Sequence, residues 1–328
     1  MDDGAPGRPR LPEWLKVRPP GGDDYHDVKR LLRRSRLHTI CESGACPNRG
    51  ECFSSRTATF LILGDVCTRS CRFCNVATGR PGPVDPDEPR RLAEAVRALR
   101  LRFAVVTSVD RDDLPDGGAA AFAATIREIR RLVPECGIEV LTPDFGGDGE
   151  AAETVLAAGP DVMAHNLETV PRLYRSARPA SEYARSLALL ARVRRWADAH
   201  ANRQADTHAG RRDDTQSNRR DDAAASGRAS AAARMRVKTG IMVGLGETPE
   251  EVAALMADCA AAGVDILTIG QYLQPTLRHH PVARFWAPDE FRELARVGRE
   301  AGIGWVEAGP LVRSSYHARE QAEELGLG

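Results

Sequence analysis

The sequence predicts an α/β fold, a partial (β/α)6 TIM-like barrel, and three observations carry that prediction. Strand-like apolar runs alternate with helix-like amphipathic segments six times along the chain. The runs are apolar throughout, as strands buried on both faces are. Polar, charged and glycine residues gather just after the runs, at Cys67–Cys74, Asp110–Gly118, Asn166–Glu168, Gly244–Glu247 and Gln271–Gln274. That is the strand end at which barrels of this kind place their chemistry.

The elements follow in order. Residues 1–40 open with a Pro/Gly-rich arm, Arg8 to Leu15, and continue in a helical pattern from Asp24 to Leu37. The next segment, to about residue 55, is rich in Gly, Pro, Asn and Ser, an irregular wrap that something other than a core must order. Thr59–Leu63 reads as the first strand, Pro89–Leu99 as a helix, Phe103–Ser108 as the second strand and Gly118–Val133 as a helix. Ile138–Thr142, Glu150–Ala158 and Val162–Asn166 continue the alternation. Ser181 is positioned to cap a helix whose apolar stripe, Tyr183, Leu187, Leu190 and Val193, reaches Trp196. After a gap the pattern resumes with Val237–Val243, Pro249–Ala261, Ile266–Ile269 and Asp289–Ala301, and Trp305–Ala308 fits a short edge strand. In the gap, residues 197–234 contain no Val, Ile, Leu, Met, Phe, Tyr or Trp. Such a stretch buries too little apolar surface to offset the entropy of ordering, so 198–234 is expected to be a disordered insertion. The expected organisation is an N-terminal extension (1–55), a barrel (56–309) and a C-terminal tail (310–328).

Composition excludes several classes. Lys plus Arg equals Asp plus Glu, 46 each, so nothing in the overall charge favours nucleic acid or an anionic membrane. No apolar run is long enough to span a bilayer. The N-terminus starts acidic, without the apolar core of a secretory signal, which makes a cytoplasmic address the expectation. Clustered cysteines in such a chain point to metal or redox chemistry in a reducing compartment, not to structural disulfides.

Six of the eight cysteines lie between positions 41 and 74. They form two triplets, Cys41-x4-Cys46-x5-Cys52 and Cys67-x3-Cys71-x2-Cys74. Three thiolates hold a cubane iron–sulfur cluster by three irons and leave the fourth open. Zinc is the alternative, but it favours pairs joined to pairs, and each triplet is one ligand short. Cys136 and Cys259 stand alone and are expected to be small hydrophobes. His279-His280 is expected at the surface or in a substrate groove, and Trp14 and Trp286 in packing roles.

The second triplet, placed after the first strand with Phe73 before its last cysteine, resembles the radical S-adenosylmethionine (SAM) superfamily. The resemblance implies that SAM chelates the open iron and that its reductive cleavage gives a 5′-deoxyadenosyl radical, which takes a hydrogen atom from an unactivated carbon. Gly117-Gly118 resembles the superfamily's glycine motif beside the methionine amine. Gly240-x-Met242-x-Gly244-x-x-Glu247 resembles the fifth-strand motif past the adenine. Asn166, Glu168 and Glu247 are expected in the SAM pocket.

The upstream triplet, with Cys46-Pro47-Asn48 and Glu51-Cys52 inside it, resembles the auxiliary-cluster motif of the lipoyl synthase family. So do Ser108–Leu114, His165–Val170, Val243–Thr248 and Gln271–Thr276. The likeness implies two 4Fe–4S clusters per subunit, one on Cys67, Cys71 and Cys74. The other would be a sulfur donor held by Cys41, Cys46, Cys52 and a serine of Arg313-Ser314-Ser315-Tyr316, with Ser315 ahead of Ser314. The N- and C-terminal extensions would then carry this auxiliary cluster between them. The implied reaction inserts sulfur at carbons 6 and 8 of a protein-bound octanoyl-lysine, consuming two SAM molecules and two external electrons. The implied partners are octanoylated lipoyl carrier domains (2-oxoacid dehydrogenase E2 subunits and glycine cleavage H protein), an electron donor such as ferredoxin or flavodoxin, and a cluster-assembly carrier. A biotin-synthase-like sulfur-inserting enzyme and a non-enzymatic zinc-binding module are the alternatives.

Overall fold

Strand β2 (Thr59–Ile62) is buried along its whole length and pairs in parallel with β3 (Phe103–Ser108). In this computed structural model, which describes residues 10–17, 20–210 and 235–324, five further parallel strands follow in chain order. They are β4 (Gly137–Leu141), β5 (Val162–Ala164), β6 (Arg236–Val243), β7 (Ile266–Gln271) and β8 (Trp305–Gly309). Each predicted run is a strand, and the edge strand expected at Trp305 is β8. One further strand, β1 (His38–Thr39), joins β2 antiparallel, so the N-terminal extension supplies one edge of the sheet and β8 the other. Because spatial order equals chain order, every parallel strand ends on the same rim of the partial barrel.

The longer helices are α1 (Asp23–Arg34), α2 (Glu88–Leu99), α3 (Ala119–Leu132), α4 (Gly149–Ala157), α5 (Tyr183–Gly210), α6 (Pro249–Ala261), α7 (Pro288–Glu300) and α8 (Ala318–Glu324). Those between the strands present Leu92, Val96, Phe122, Ile126, Ile129, Val155 and Met256 to one continuous core with the sheet. Local chemistry sets several starts. Asp148 accepts the Glu150 and Ala151 N–H groups at α4, and Thr248, Pro249 and Glu251 form a capping box at α6.

Two expectations fail in this region. Ser181 does not cap α5, which starts two residues later; its buried hydroxyl has no hydrogen-bond partner. The helix also runs on through Gly210, into the span expected to be disordered. Alanine and arginine there are strong helix formers, and propensity extends the helix without an apolar stripe. The remainder of that span, 211–234, lies outside the described residues, as do 1–9 and 325–328 of the two extensions.

Beneath the rim the barrel holds a buried ion pair. Lys238 on β6 reaches across β5 to Glu139 on β4 at 2.9 Å, with side chains 0% and 1% exposed. Of the two tryptophans expected to pack, Trp286 is buried, but Trp14 is 42% exposed, and its neighbour Leu15 is the arm residue that turns inward. No helix among the described residues is long and apolar enough to cross a membrane.

Candidate active site

The loop that follows β2 carries the second triplet. Its first cysteine sits on a two-residue ribbon, Val66–Cys67 paired with Ala77–Thr78. Cys67 Sγ accepts the N–H groups of Arg69 at 3.4 Å and Asp110 at 3.3 Å. Buried Arg69 ties this loop to two strand ends. It donates Nε and Nη2 to Asp112 after β3, at 2.9 and 2.6 Å, and its Nη1 lies 2.8 Å from Asp144 after β4. From the far side, the His280 N–H donates to the Arg72 carbonyl at 2.8 Å, and the His279 Nε2–H to the Cys74 carbonyl at 3.1 Å. The histidine pair therefore braces the cysteine loop.

The first triplet is carried by two short helices, Ile40–Ser43 and Arg49–Ser54, the former capped by Thr39. Against the expectation, part of this wrap joins the core, where Phe53 is fully buried against Tyr25 of α1, and the tail holds its other side. Asn48 Nδ2 donates to the Leu311 carbonyl at 2.7 Å, Thr59 Oγ1 donates to Ser315 Oγ at 2.7 Å, and the Tyr316 hydroxyl donates to Glu51 at 3.2 Å. Asn75 joins the two triplets by donating to the Ser43 carbonyl at 3.0 Å.

Both triplets open on one cavity of about 500 Å³ at the strand C-terminal ends, where Cys41, Cys46, Cys67, Cys71 and Cys74 all line the wall. Cys52 lies in an adjoining recess with Cys41, Cys46 and Ser315. Ser314 does not line that recess, and its Oγ accepts from Asn166 Nδ2 at 2.7 Å. Tail geometry thus separates the two serines, which spacing alone leaves adjacent.

All eight cysteines are free. Burial pushes Cys41 up to about 11, with Cys46 adding to the shift, and Cys52 up to about 12, with Cys41 and Cys46 adding. Cys67 and Cys74 are likewise pushed up to about 12, chiefly by burial, with Asp110 raising the first and Cys71 and Cys67 the second. Thiols that repel one another's charged forms inside a closed wall require a bound cation to ionise together. A polycationic cluster satisfies that requirement. No three His, Cys, Asp or Glu side chains among the described residues are gathered tightly enough for a single ion. The thiols instead stand around a space.

The rest of the cavity is polar on one side. Asn166 Oδ1 and Ser108 Oγ are buried without hydrogen-bond partners, which suits a polar ligand. Glu168 holds a left-handed φ of 67°, a conformation that costs of order 1 kcal/mol or more for a non-glycine residue. It directs its carboxylate to the cavity wall, where Asn166 donates to it at 3.1 Å. Arg178 lines the wall beside Cys71 and Glu168 and donates to the Asn166 carbonyl at 2.9 Å. Gly240 is required here, because a Cβ would fall 2.9 Å from Asn166 Oδ1 and 2.7 Å from Thr268 Oγ1.

Three expected SAM-pocket residues are placed otherwise. Gly117 and Gly118 do not line the cavity. They make the left-handed turn into α3, where Asp116 caps the Gly118 and Ala120 N–H groups and a Cβ on Gly118 would strike Leu63 at 2.3 Å. The cavity wall at this strand end is Thr107–Asp110. Glu247 also turns away. Its carboxylate accepts the Gly244 and Leu245 N–H groups at 2.5 and 3.0 Å and the Trp286 indole N–H at 3.0 Å, so it closes its own turn. Glu247→Ala is expected to lower unfolding free energy in urea by about 3 kcal/mol, since buried donors lose their acceptor, while SAM affinity by equilibrium dialysis is unchanged. A loss of SAM affinity at full stability would return Glu247 to the pocket. Sequence reasoning missed Arg69, Asp110, Arg178 and Thr59. The signal within reach was Arg69 between two cysteines, matched by an acid-rich strand end, Asp110–Asp113.

Comparison with known proteins agrees with this layout. Residues 61–195 match the model of the radical SAM superfamily, and residues 2–46 match that of the N-terminal domain of lipoyl synthase. Lipoyl synthase of Rubrobacter xylanophilus is 51% identical over 322 residues, 98% of this chain and 89% of that one. Lipoyl synthase of Chloroflexus aurantiacus is 49% identical over 315 residues, 96% of this chain and 92% of that one. Among solved structures, Streptococcus suis SuiB bound to S-adenosylmethionine superposes with a TM-score of 0.50 at 11% identity, over 80% of this chain and 55% of that one, a likeness of fold alone. With cysteine triplets, barrel and near full-length identity all in agreement, the chain belongs to the lipoyl synthase family of radical SAM enzymes.

Proposed function

We propose that this chain inserts two sulfur atoms, at carbons 6 and 8, into an octanoyl group amide-linked to a lysine of a lipoyl carrier domain. The supporting observation is that both triplets and the tail serine meet around one cavity at the strand ends. When bound, SAM on an open-iron 4Fe–4S cluster supplies the 5′-deoxyadenosyl radical, and a second 4Fe–4S cluster supplies the sulfur. Cys67, Cys71 and Cys74 would hold the first, and Cys41, Cys46, Cys52 and Ser315 the second. Asn166 and Glu168 would bind SAM, with orphaned Asn166 Oδ1 and the strained Glu168 backbone as the support. Arg69 and the His279-His280 brace fix the cysteine loop.

The carriers are the octanoylated E2 subunits of 2-oxoacid dehydrogenases and the glycine cleavage H protein. Electrons come from a ferredoxin- or flavodoxin-like donor, and the cluster is rebuilt by an assembly carrier. The cytoplasm, whose reducing conditions preserve free thiols, is the setting. A biotin-synthase-like enzyme would lack the serine beside the first triplet, which favours the present reading.

Anaerobic turnover with an octanoylated carrier domain tests it. The expected result is brown protein with about eight irons per chain and a product whose mass shows two added sulfurs. Zinc-loaded colourless protein, or a carrier of unchanged mass, would sink the reading. Thr59 gives a finer test, because its hydroxyl hydrogen-bonds the proposed oxygen ligand. Thr59→Val should cost about tenfold in turnover or cluster retention, as lost outer-shell partners do, and Thr59→Ser should restore both.

A further inference from the structure

The chain carries as many acids as bases, 46 of each, yet the two segments that flank the cavity mouth are one-signed. Residues 67–84 contain Arg69, Arg72 and Arg80, residues 271–287 contain Arg278 and Arg284, and neither contains Asp or Glu. The two segments are one surface. The His280 N–H on the Arg72 carbonyl and the His279 imidazole on the Cys74 carbonyl bind them together. Cys74 and Pro275 both line the cavity.

Two of the five arginines have structural work. Arg69 is buried on Asp112 and Asp144, and Arg284 pairs with Glu290 at 2.7 Å and stacks 3.7 Å over Trp286. Arg72, Arg80 and Arg278 are exposed, and Arg80 lies in the field of Asp113. Beside Arg278 stands Leu277, 66% exposed, the barest large hydrophobic side chain among the described residues. A lone exposed leucine is ordinary. Here it stands on an arginine-bearing arc at one side of a cavity that a protein-borne substrate must enter, next to the acidic strand end Asp110–Asp113.

We propose that this arc is the docking surface for the carrier, with Leu277 as apolar anchor and Arg72, Arg80 and Arg278 as contacts for an acidic face of the octanoylated domain. The proposal rests on the reading that the octanoyl group is protein-bound. Charge complementarity selects the occupant: Arg72, Arg80 and Arg278, exposed on two segments that themselves contain no acid, attract an acidic partner, steer its approach and fix its orientation. The lysine arm then passes beside Pro275 to the cysteines while the body of the domain stops at the rim.

The test compares two substrates, the intact octanoylated carrier domain and a short octanoyl-lysyl peptide without acidic residues. It uses the anaerobic holoenzyme and the variants Arg80→Glu/Arg278→Glu and Leu277→Asp. For the intact domain, KM should rise about tenfold, and wild-type KM should climb with salt while that of the double variant should not. Peptide turnover, iron content and SAM cleavage should stay at wild-type values. An unchanged KM for the domain, or an equal loss with both substrates, would overturn the docking surface. Wild-type enzyme that converts neither substrate would overturn the functional reading, and this proposal with it.

Discussion

Ser315→Ala is expected to abolish sulfur insertion while SAM is still cleaved to 5′-deoxyadenosine. The tail gives its two adjacent serines different partners. Ser315 shares a recess with Cys41, Cys46 and Cys52, with Thr59 donating to its oxygen at 2.7 Å. Ser314 accepts from Asn166 at 2.7 Å, on the cofactor side of the barrel. Removing the Ser315 hydroxyl takes the fourth ligand from the first triplet and leaves Cys67, Cys71 and Cys74 untouched, so only the sulfur-donating half should fail. The readout is iron and sulfide content with Mössbauer spectra, beside separate assays of 5′-deoxyadenosine and thiolated product. Ser314→Ala should retain both clusters and show its defect in SAM affinity, because Asn166 loses an acceptor. Were Ser315→Ala to keep its auxiliary cluster and turnover while Ser314→Ala lost them, the ligand assignment would be reversed.

That contrast marks where sequence reading stops. Both triplets and the seven parallel strands were legible because they depend on composition along the chain: apolar runs for strands buried on both faces, and cysteine spacing. Side-chain direction at a strand end depends on the turn, which residue types do not reveal. Glu247 sits in a glycine-rich motif suited to a cofactor wall, yet the turn folds it inward onto Gly244, Leu245 and Trp286. Gly117 and Gly118 resemble a cofactor motif and serve the entry to α3. Ser181 has the chemistry of a cap but not its position. Conversely, Arg69 and Arg178 gain their roles only when separate strand ends converge. The tail's hold on the N-terminal extension through Asn48 and Glu51, and on β2 through Thr59, spans more of the chain than any local pattern.

The floor of the barrel gives the largest expected effect on stability. Lys238→Met should cost about 3–5 kcal/mol, the range for removing one partner of a buried ion pair, because Glu139 is 1% exposed and already lacks a partner for Oε1. Burial pushes the Glu139 carboxyl up, and Lys238 is the group that pulls it down. Without the lysine, the folded chain keeps Glu139 protonated. The sign follows: a folded-state value above the unfolded one means that the native state binds the extra proton, so the variant loses stability as pH rises above the unfolded carboxylate range. Burial holds the Glu139 carboxyl up in the wild type as well, so the deficit relative to wild type should grow with pH only above the wild-type folded value, by at most about 1.4 kcal/mol per pH unit. Lys238→Met/Glu139→Leu should recover most of the loss on both sides of that value, since well-packed apolar replacements of a buried pair are often neutral. Urea midpoints below and above that value decide the matter, and a deficit independent of pH would show that lost packing, not a stranded carboxyl, is responsible. The pair also pins β4 to β6 across β5, and those three strands bring Thr142, Asn166 and Gly240 to the cavity wall. Loosening of the floor should therefore reach the rim as weaker SAM binding in the single variant, restored in the double one.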